Sequence, residues 1–232
     1  MPIDKLRYKS YIKSRFKIQI LAREEIERLE IDLTPTDDNS IYCYTDGSKI
    51  DDKSGCGFIY NGKNEEPIGE GYKGLGKFST VYQCEIKAID DATSHMLENN
   101  IENKNIDYFI DNQAAIKSLD NYIVSSKLVA ECKEKINTLG TNNKITLNWI
   151  KSHIGFEGNE TADRYAKLGT NLEIDDEDEP ILPVSPQLIK KLIERWAEKK
   201  HKRRWQSKTK HILETHDYSH TKIFIKEPNA KI

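Results

Sequence analysis

Four acidic residues stand where a carboxylate can do chemistry: Asp46 in YTDGS, Glu85 in QCEIKAI, Asp111 in FIDNQAA and Asp163 in GNETADRYAK. The chain has 38 Asp and Glu in all, so local context is what distinguishes these four. An acid that closes an apolar, β-branched run sits where a sheet edge opens to solvent, and ligand sites of α/β folds cluster there. Carboxylates brought together must take up protons or bind cations. A hard divalent ion such as magnesium is the cation that oxygen ligands of this kind select. Each acid taken singly also has a plain structural reading. Asp46 starts a D-G turn signal, Glu85 favours the N-terminal dipole of a helix, Asp111 N-caps the next helix, and Asp163 is a solvated surface acid.

The elements that must position them follow from pattern. IYCYTD is β-rich and ends at Asp46, GCGFIYN is a second strand, and EPIGEGYKG is a third across the turn NGKNEE, giving an antiparallel meander. Val81 to Glu98 has helical spacing, with Ile86, Ile89 and Met96 or Leu97 on one face. IDYFID is a short buried strand leading into a helix over AAIKSLDNYIVS; Ser126 opens another helix, and KITLNWI is the last strand. A final helix starts at Asn159 and is stopped by Gly169. Strands first and then helix–strand alternation predict an α/β domain: a mixed five-stranded sheet, three antiparallel strands then parallel ones, flanked by helices.

Residues 1–39 read as a charged lead-in or linker, with helical spacing in LAREEIERLEI; residues 40–172 are the catalytic-type domain; residues 173–232 are an acidic linker and a basic helical tail. No apolar run reaches the roughly 18 residues of a membrane helix, and the basic N-terminus lacks the apolar core of a secretory signal. Cys43, Cys56, Cys84 and Cys132 show no C-x-x-C spacing and read as free thiols in a reducing, intracellular compartment, nucleus or cytoplasm. The net charge of −2 hides a marked asymmetry. Residues 173–179 hold six acids, whereas residues 187–210 hold ten Lys or Arg against two acids, Glu194 and Glu198. That basic segment, with Lys199, Lys200, Arg203, Arg204, Trp196 and Trp205, is a candidate nucleic-acid contact; its alternative is a solvated helix packing its aromatics on the domain. KIFIK near the end reads as a short strand or arm. The spacing of His211, His216 and His220 fits no familiar zinc site.

Taken together, YTDGS, the glutamate of VYQCEIKAI, DNQAAI and WIKSHIGFEGNETAD resemble the ribonuclease H family (type 1-like) over roughly Ile41 to Leu168. Their wording is most similar to ribonuclease H domains of non-LTR (LINE-like) retrotransposon polyproteins. The resemblance implies a ribonuclease H-like fold and hydrolysis of the RNA strand of RNA–DNA hybrids with two Mg2+ ions, Mn2+ being a substitute. Asp46 resembles the carboxylate bridging both ions, Glu85 and Asp111 the ligands of one, and Asp163 the further ligand of the other. His153 resembles a mobile histidine that assists proton transfer or product departure. Gln113 resembles a residue touching the minor groove, and Thr80 one contacting DNA phosphate. The family's basic handle helix has no room between Asp111 and Lys144. The setting implied is retroelement reverse transcription, with an upstream reverse transcriptase domain as partner, no membrane, and a monomeric state. Two rivals remain: an inactive, domesticated nucleic-acid-binding module, and a DNA-cutting nuclease of the same fold.

Overall fold

The computed structural model describes residues 3–7, 9–20, 35, 37–63, 67–152, 156–174 and 180–215. The expected helix in LAREEIERLEI, the acids of 175–179 and KIFIK lie outside these residues. Two units divide the chain, residues 1–188 and 189–232.

In the first unit the meander is β3 (Ser40–Ile50), β4 (Lys53–Asn61) and β5 (Pro67–Gly74), paired antiparallel in that order. β6 (Asn105–Ile110) joins β3 in parallel and β8 (Lys144–Trp149) joins β6 in parallel. The expected α/β architecture with antiparallel strands followed by parallel ones is therefore the observed one. The sheet has six strands, one more than expected, because β2 (Lys17–Ile20), from the lead-in, adds in parallel to β8. A second short pairing joins β1 (Ser10–Tyr11) to β7 (Ile123–Val124).

Strand alternation sorts the side chains. On β3, Ile41 and Cys43 enter the larger apolar cluster, beneath the helices α1 (Val81–Glu98) and α3 (Lys127–Leu139), whereas Tyr42 and Tyr44 enter a smaller one with Phe109, Ile150, Phe156 and Ala162. That smaller cluster lies under α4 (Glu157–Thr170). All four cysteines are buried free thiols.

Helix α1 starts where Thr80 forms a capping box with Gln83, and it stops at Asn99, after which Asn100 takes φ +53°. Helix α2 is shorter than expected, Gln113–Asp120, because Ile123 and Val124 leave it to pair with β1. Helix α4 begins two residues before Asn159 and is not stopped by Gly169, which lies inside it. That glycine serves packing: a Cβ there would sit 2.5 Å from Lys73 O. Likewise a Cβ on Gly57 would meet Ala166 N at 2.5 Å, so α4 lies with its backbone directly on β4.

The lead-in is tied into this unit. Ile3 forms a parallel bridge with Val184. Buried Asp4 accepts hydrogen bonds from Ser126 Oγ (2.8 Å), Leu128 N (3.0 Å) and Gln83 Nε2 (3.4 Å). One carboxylate thus joins the starts of α1 and α3 to the first described residues. Asp4→Ala leaves these donors unmatched and is expected to lower the unfolding free energy by about 2–3 kcal/mol, read by urea denaturation.

Candidate metal-binding active site

Asp46 leaves β3 on the face that carries Tyr42 and Tyr44, four residues before the strand ends at Ile50. Glu85 comes from the first turns of α1 and is only 3% exposed. The two approach because residue 47 is glycine: a Cβ there would lie 2.4 Å from Glu85 N and 2.7 Å from the Cys84 carbonyl carbon. The D-G pair therefore lies inside a strand, where it permits a close strand–helix contact, and the turn reading for Asp46 does not hold. Asp111 follows β6 directly. Asn112, not Asp111, caps α2, its side chain accepting from Ala115 N at 3.1 Å. Trp149 Nε1 donates to Asp111 O at 2.9 Å and fixes the backbone at this corner.

Carboxylate oxygens of Asp46, Glu85 and Asp111 all lie within 4.8 Å of one another. Asp163 stands on the facing helix α4, where its Oδ2 accepts from Lys167 Nζ at 2.5 Å. It lies outside the tight group of three but close enough for its charge to act on Asp46.

The electrostatics agree with the geometry. Burial, followed by the charges of Asp111 and Asp163, pushes the Asp46 carboxyl up to about 7, while Lys167 and a hydrogen bond from the Gly47 backbone pull it down. Glu85 is pushed well above the usual carboxylate range by burial first and then by Asp46 and Asp111; Asn112 and Gly47 act against this through hydrogen bonds. Glu85 Oε2 is buried with no hydrogen-bond partner. A buried carboxylate oxygen with an open lone pair, beside two more carboxylates, is the donor set a hard cation takes. The residues present therefore fit a divalent metal.

The other residues singled out in the sequence are placed as follows. His153 lies outside the described residues, as do His216 and His220. Thr80 is occupied as the α1 cap, its hydroxyl 3.2 Å from Gln83 N and 3.1 Å from Gln83 Oε1. Gln113 opens α2, and its Oε1 accepts from Lys117 Nζ at 3.2 Å. Lys199, Lys200, Arg203 and Arg204 are exposed on α5 (Pro186–Thr215), whose run from residue 189 belongs to the second unit; Lys200 Nζ lies 4.6 Å from the Trp196 ring centroid. Three contributors to the site were missed from sequence: Gly47 as a packing device, Asn112 as the partner of Glu85, and Lys167 as the partner of Asp163. The last had a readable signal in its i,i+4 spacing.

A family model described as RNase H matches residues 38–171. Two solved structures are similar to part of the chain. One is RNase H1 from the halophilic archaeon Halobacterium salinarum NRC-1, at 18% identity over 56% of this chain and 96% of that chain, with a TM-score of 0.46. The other is the N-terminal RNase H domain of rv2228c from Mycobacterium tuberculosis, studied as a fusion with maltose binding protein, at 13% identity over 57% of this chain and 99% of that chain, with a TM-score of 0.47. No curated protein matches the sequence.

Because the Asp46 carboxyl binds its proton more tightly folded than unfolded, the folded chain carries more protons than the unfolded one between the ordinary value of 3.8 and about 7, and Glu85 adds to this in the same direction. Stability of the metal-free protein therefore falls as pH rises through that window. In EDTA, Asp46→Asn is expected to flatten this fall and to raise Tm at pH 8 by roughly 5 °C, equivalent to about 1–2 kcal/mol for a chain of this size. Thermal unfolding of both proteins at pH 5 and pH 8 checks it, and an equal fall in the two would show that the cluster is not the source.

Proposed function

This chain belongs to the ribonuclease H family, and we propose that it is an active, metal-dependent endonuclease that hydrolyses the RNA strand of RNA–DNA hybrids. The observation that carries this reading is the group of Asp46, Glu85 and Asp111, the first two buried, with Asp163 on the facing helix.

In this reading Asp46, Glu85 and Asp111 would hold a divalent cation, and Asp163 with Asp46 would help to hold a second. Bound Mg2+, with Mn2+ as a substitute, would supply positive charge to the scissile phosphate and an activated water. The chain's own residues do the rest. Asn112 and Gly47 orient Glu85, and Trp149 holds the Asp111 corner. Lys167 balances Asp163 until cation and substrate arrive. Water attacks phosphorus in line with the bond to the 3′ oxygen; that bond breaks, leaving a 3′-hydroxyl and a 5′-phosphate. His153 assists the proton movement or the departure of product.

Substrate contacts in this reading come from Gln113 in the minor groove, Thr80 at a phosphate, and Lys199, Lys200, Arg203 and Arg204 along α5. Support for the α5 contact lies in its exposed cations and in Trp196, which is 61% exposed. The biological setting we infer is retroelement replication, the domain acting after an upstream reverse transcriptase and as a monomer.

The test is cleavage of a labelled RNA–DNA hybrid in Mg2+, with RNA–RNA and DNA–DNA duplexes alongside. Cutting of the RNA strand in the hybrid alone is expected, with at least a hundredfold loss in Asp46→Asn and none detectable in EDTA. Hybrid binding without cutting by the native chain would instead establish the inactive binding module, and cutting of the DNA duplex would establish a DNA nuclease.

A further inference from the structure

The N-terminal arm has a pattern that the cleavage site does not use. From Ile3 to Gln19 the side chains alternate strictly between inward and outward among the described residues. Leu6, Ile12, Phe16 and Ile18 turn inward and pack against the larger apolar cluster. Lys5, Arg7, Lys9, Tyr11, Lys13, Arg15 and Lys17 turn outward and are exposed. The one acid of the arm, Asp4, is buried. Backbone and inward contacts hold the arm down: Leu6 N donates to Ser125 O (2.8 Å), Ile12 N to Tyr122 O (3.0 Å), Arg15 N to Asn137 Oδ1 (2.7 Å), and β2 pairs with β8. The outward row is thus positioned largely by backbone and inward contacts, with Arg15 also donating from Nη1 to Thr141 Oγ1 at 3.3 Å.

Six cations in one row repel one another, and among the described residues no ion pair engages Lys5, Lys9, Lys13 or Lys17. In extended chain their period is about 6.6 Å, and the contour from Lys5 to Lys17 is at most ~40 Å, close to one turn of a duplex. The backbone bends at Arg7 and again at Arg15 and Phe16, and Tyr11 separates the cations into two runs of three, Lys5 to Lys9 and Lys13 to Lys17; each run is exposed positive charge of the kind that attracts a polyanion. Midway along the row, Tyr11 (63% exposed) and Tyr122 (58% exposed) hold their rings 5.7 Å apart and tilted by 57°, each an exposed aromatic face of the kind on which a base stacks. The outward face lacks the Leu, Phe and Trp that would favour a lipid surface. The inward side of the arm reaches the neighbourhood of the site. Ile18, Gln113 and Trp149 line one small cavity of about 50 Å³, and Trp149 donates to Asp111 O.

We propose that the outward row of the arm, with Tyr11 and Tyr122, is a second nucleic-acid-binding surface that follows the phosphate backbone of the substrate away from the cleavage site. Its identification with the substrate rests on the ribonuclease reading above; its affinity for nucleic acid does not.

The test uses the full chain carrying Asp46→Asn, so that hybrid is bound and not cut, with and without Lys9→Gln, Lys13→Gln and Lys17→Gln. Binding of labelled hybrid, duplex DNA and single-stranded RNA is measured from 50 to 200 mM KCl. The triple variant is expected to keep its Tm, to bind hybrid at least tenfold more weakly at the lowest salt, and to show a log K against log salt slope shallower by about 2 to 3. Lys→Arg at the same positions is expected to restore both. An unchanged affinity and slope at native Tm overturns the proposal, as does a parent chain that binds no nucleic acid. Should the triple variant unfold, Lys9→Gln alone carries the test, with an expected slope change of about 0.9. If the native chain fails to cut hybrid while the slope still falls, the nuclease reading is lost and the arm surface stands.

Discussion

Like charges in a confined space set the terms for this fold. Three carboxylates within 4.8 Å, two of them almost wholly buried, repel one another and have lost much of their hydration. Nothing local would bring them together. Long-range structure must force the approach, and it does so with rigid parts. The β3–β4–β5 meander fixes Asp46, Gly47 lets α1 come down until Glu85 meets it, and the parallel β6 delivers Asp111 from the neighbouring strand. The stabilising side of the balance is elsewhere, in apolar clusters on both faces of the sheet, where the Tyr44 and Phe109 rings stack at 5.1 Å. A site that disfavours the metal-free state in this way is one that a cation stabilises on binding.

Asp46, Glu85 and Asp111 were legible as candidates because each sits in or beside a strongly patterned element, although only Asp111 stands where its strand ends, β3 running on past Asp46 to Ile50. Their convergence was legible only through resemblance, since no spacing along a chain encodes which strand ends become neighbours. Glycine was misread twice for one reason. Gly47 and Gly169 carry familiar turn and stop signals, but in the structure they occupy a strand interior and a helix interior where another backbone lies too close for a Cβ. Sequence shows that a glycine is permissive and says nothing about what presses on it. The lead-in was misjudged differently. Its period-2 alternation stands in the sequence from Leu6 to Ile18, but lysine and arginine at every second position made it look like a solvated linker rather than half of a strand.

Charge in this chain is organised by element rather than by balance. The net value of −2 conceals a buried acidic focus, an acidic run at 173–179, a basic arm and a basic helix. The isoelectric point near 6.3 therefore predicts little about what any one part of the surface attracts. Cations are kept on exposed faces of the arm and of α5, whereas Asp46, Glu85 and Asp4 are buried.

The bridge between Ile3 and Val184, and the pairing of β2 with β8, bear on how the protein is made. A ribosome releases the arm before its partner strand, which emerges only when Trp149 has cleared the exit tunnel, roughly 6 to 25 s later at ordinary elongation speeds. During that interval the arm is an unclaimed strand edge in a crowded cell, the kind of segment that pairs with whatever comes by. A lysine or arginine at almost every second position keeps such an edge apart from its own copies on neighbouring ribosomes.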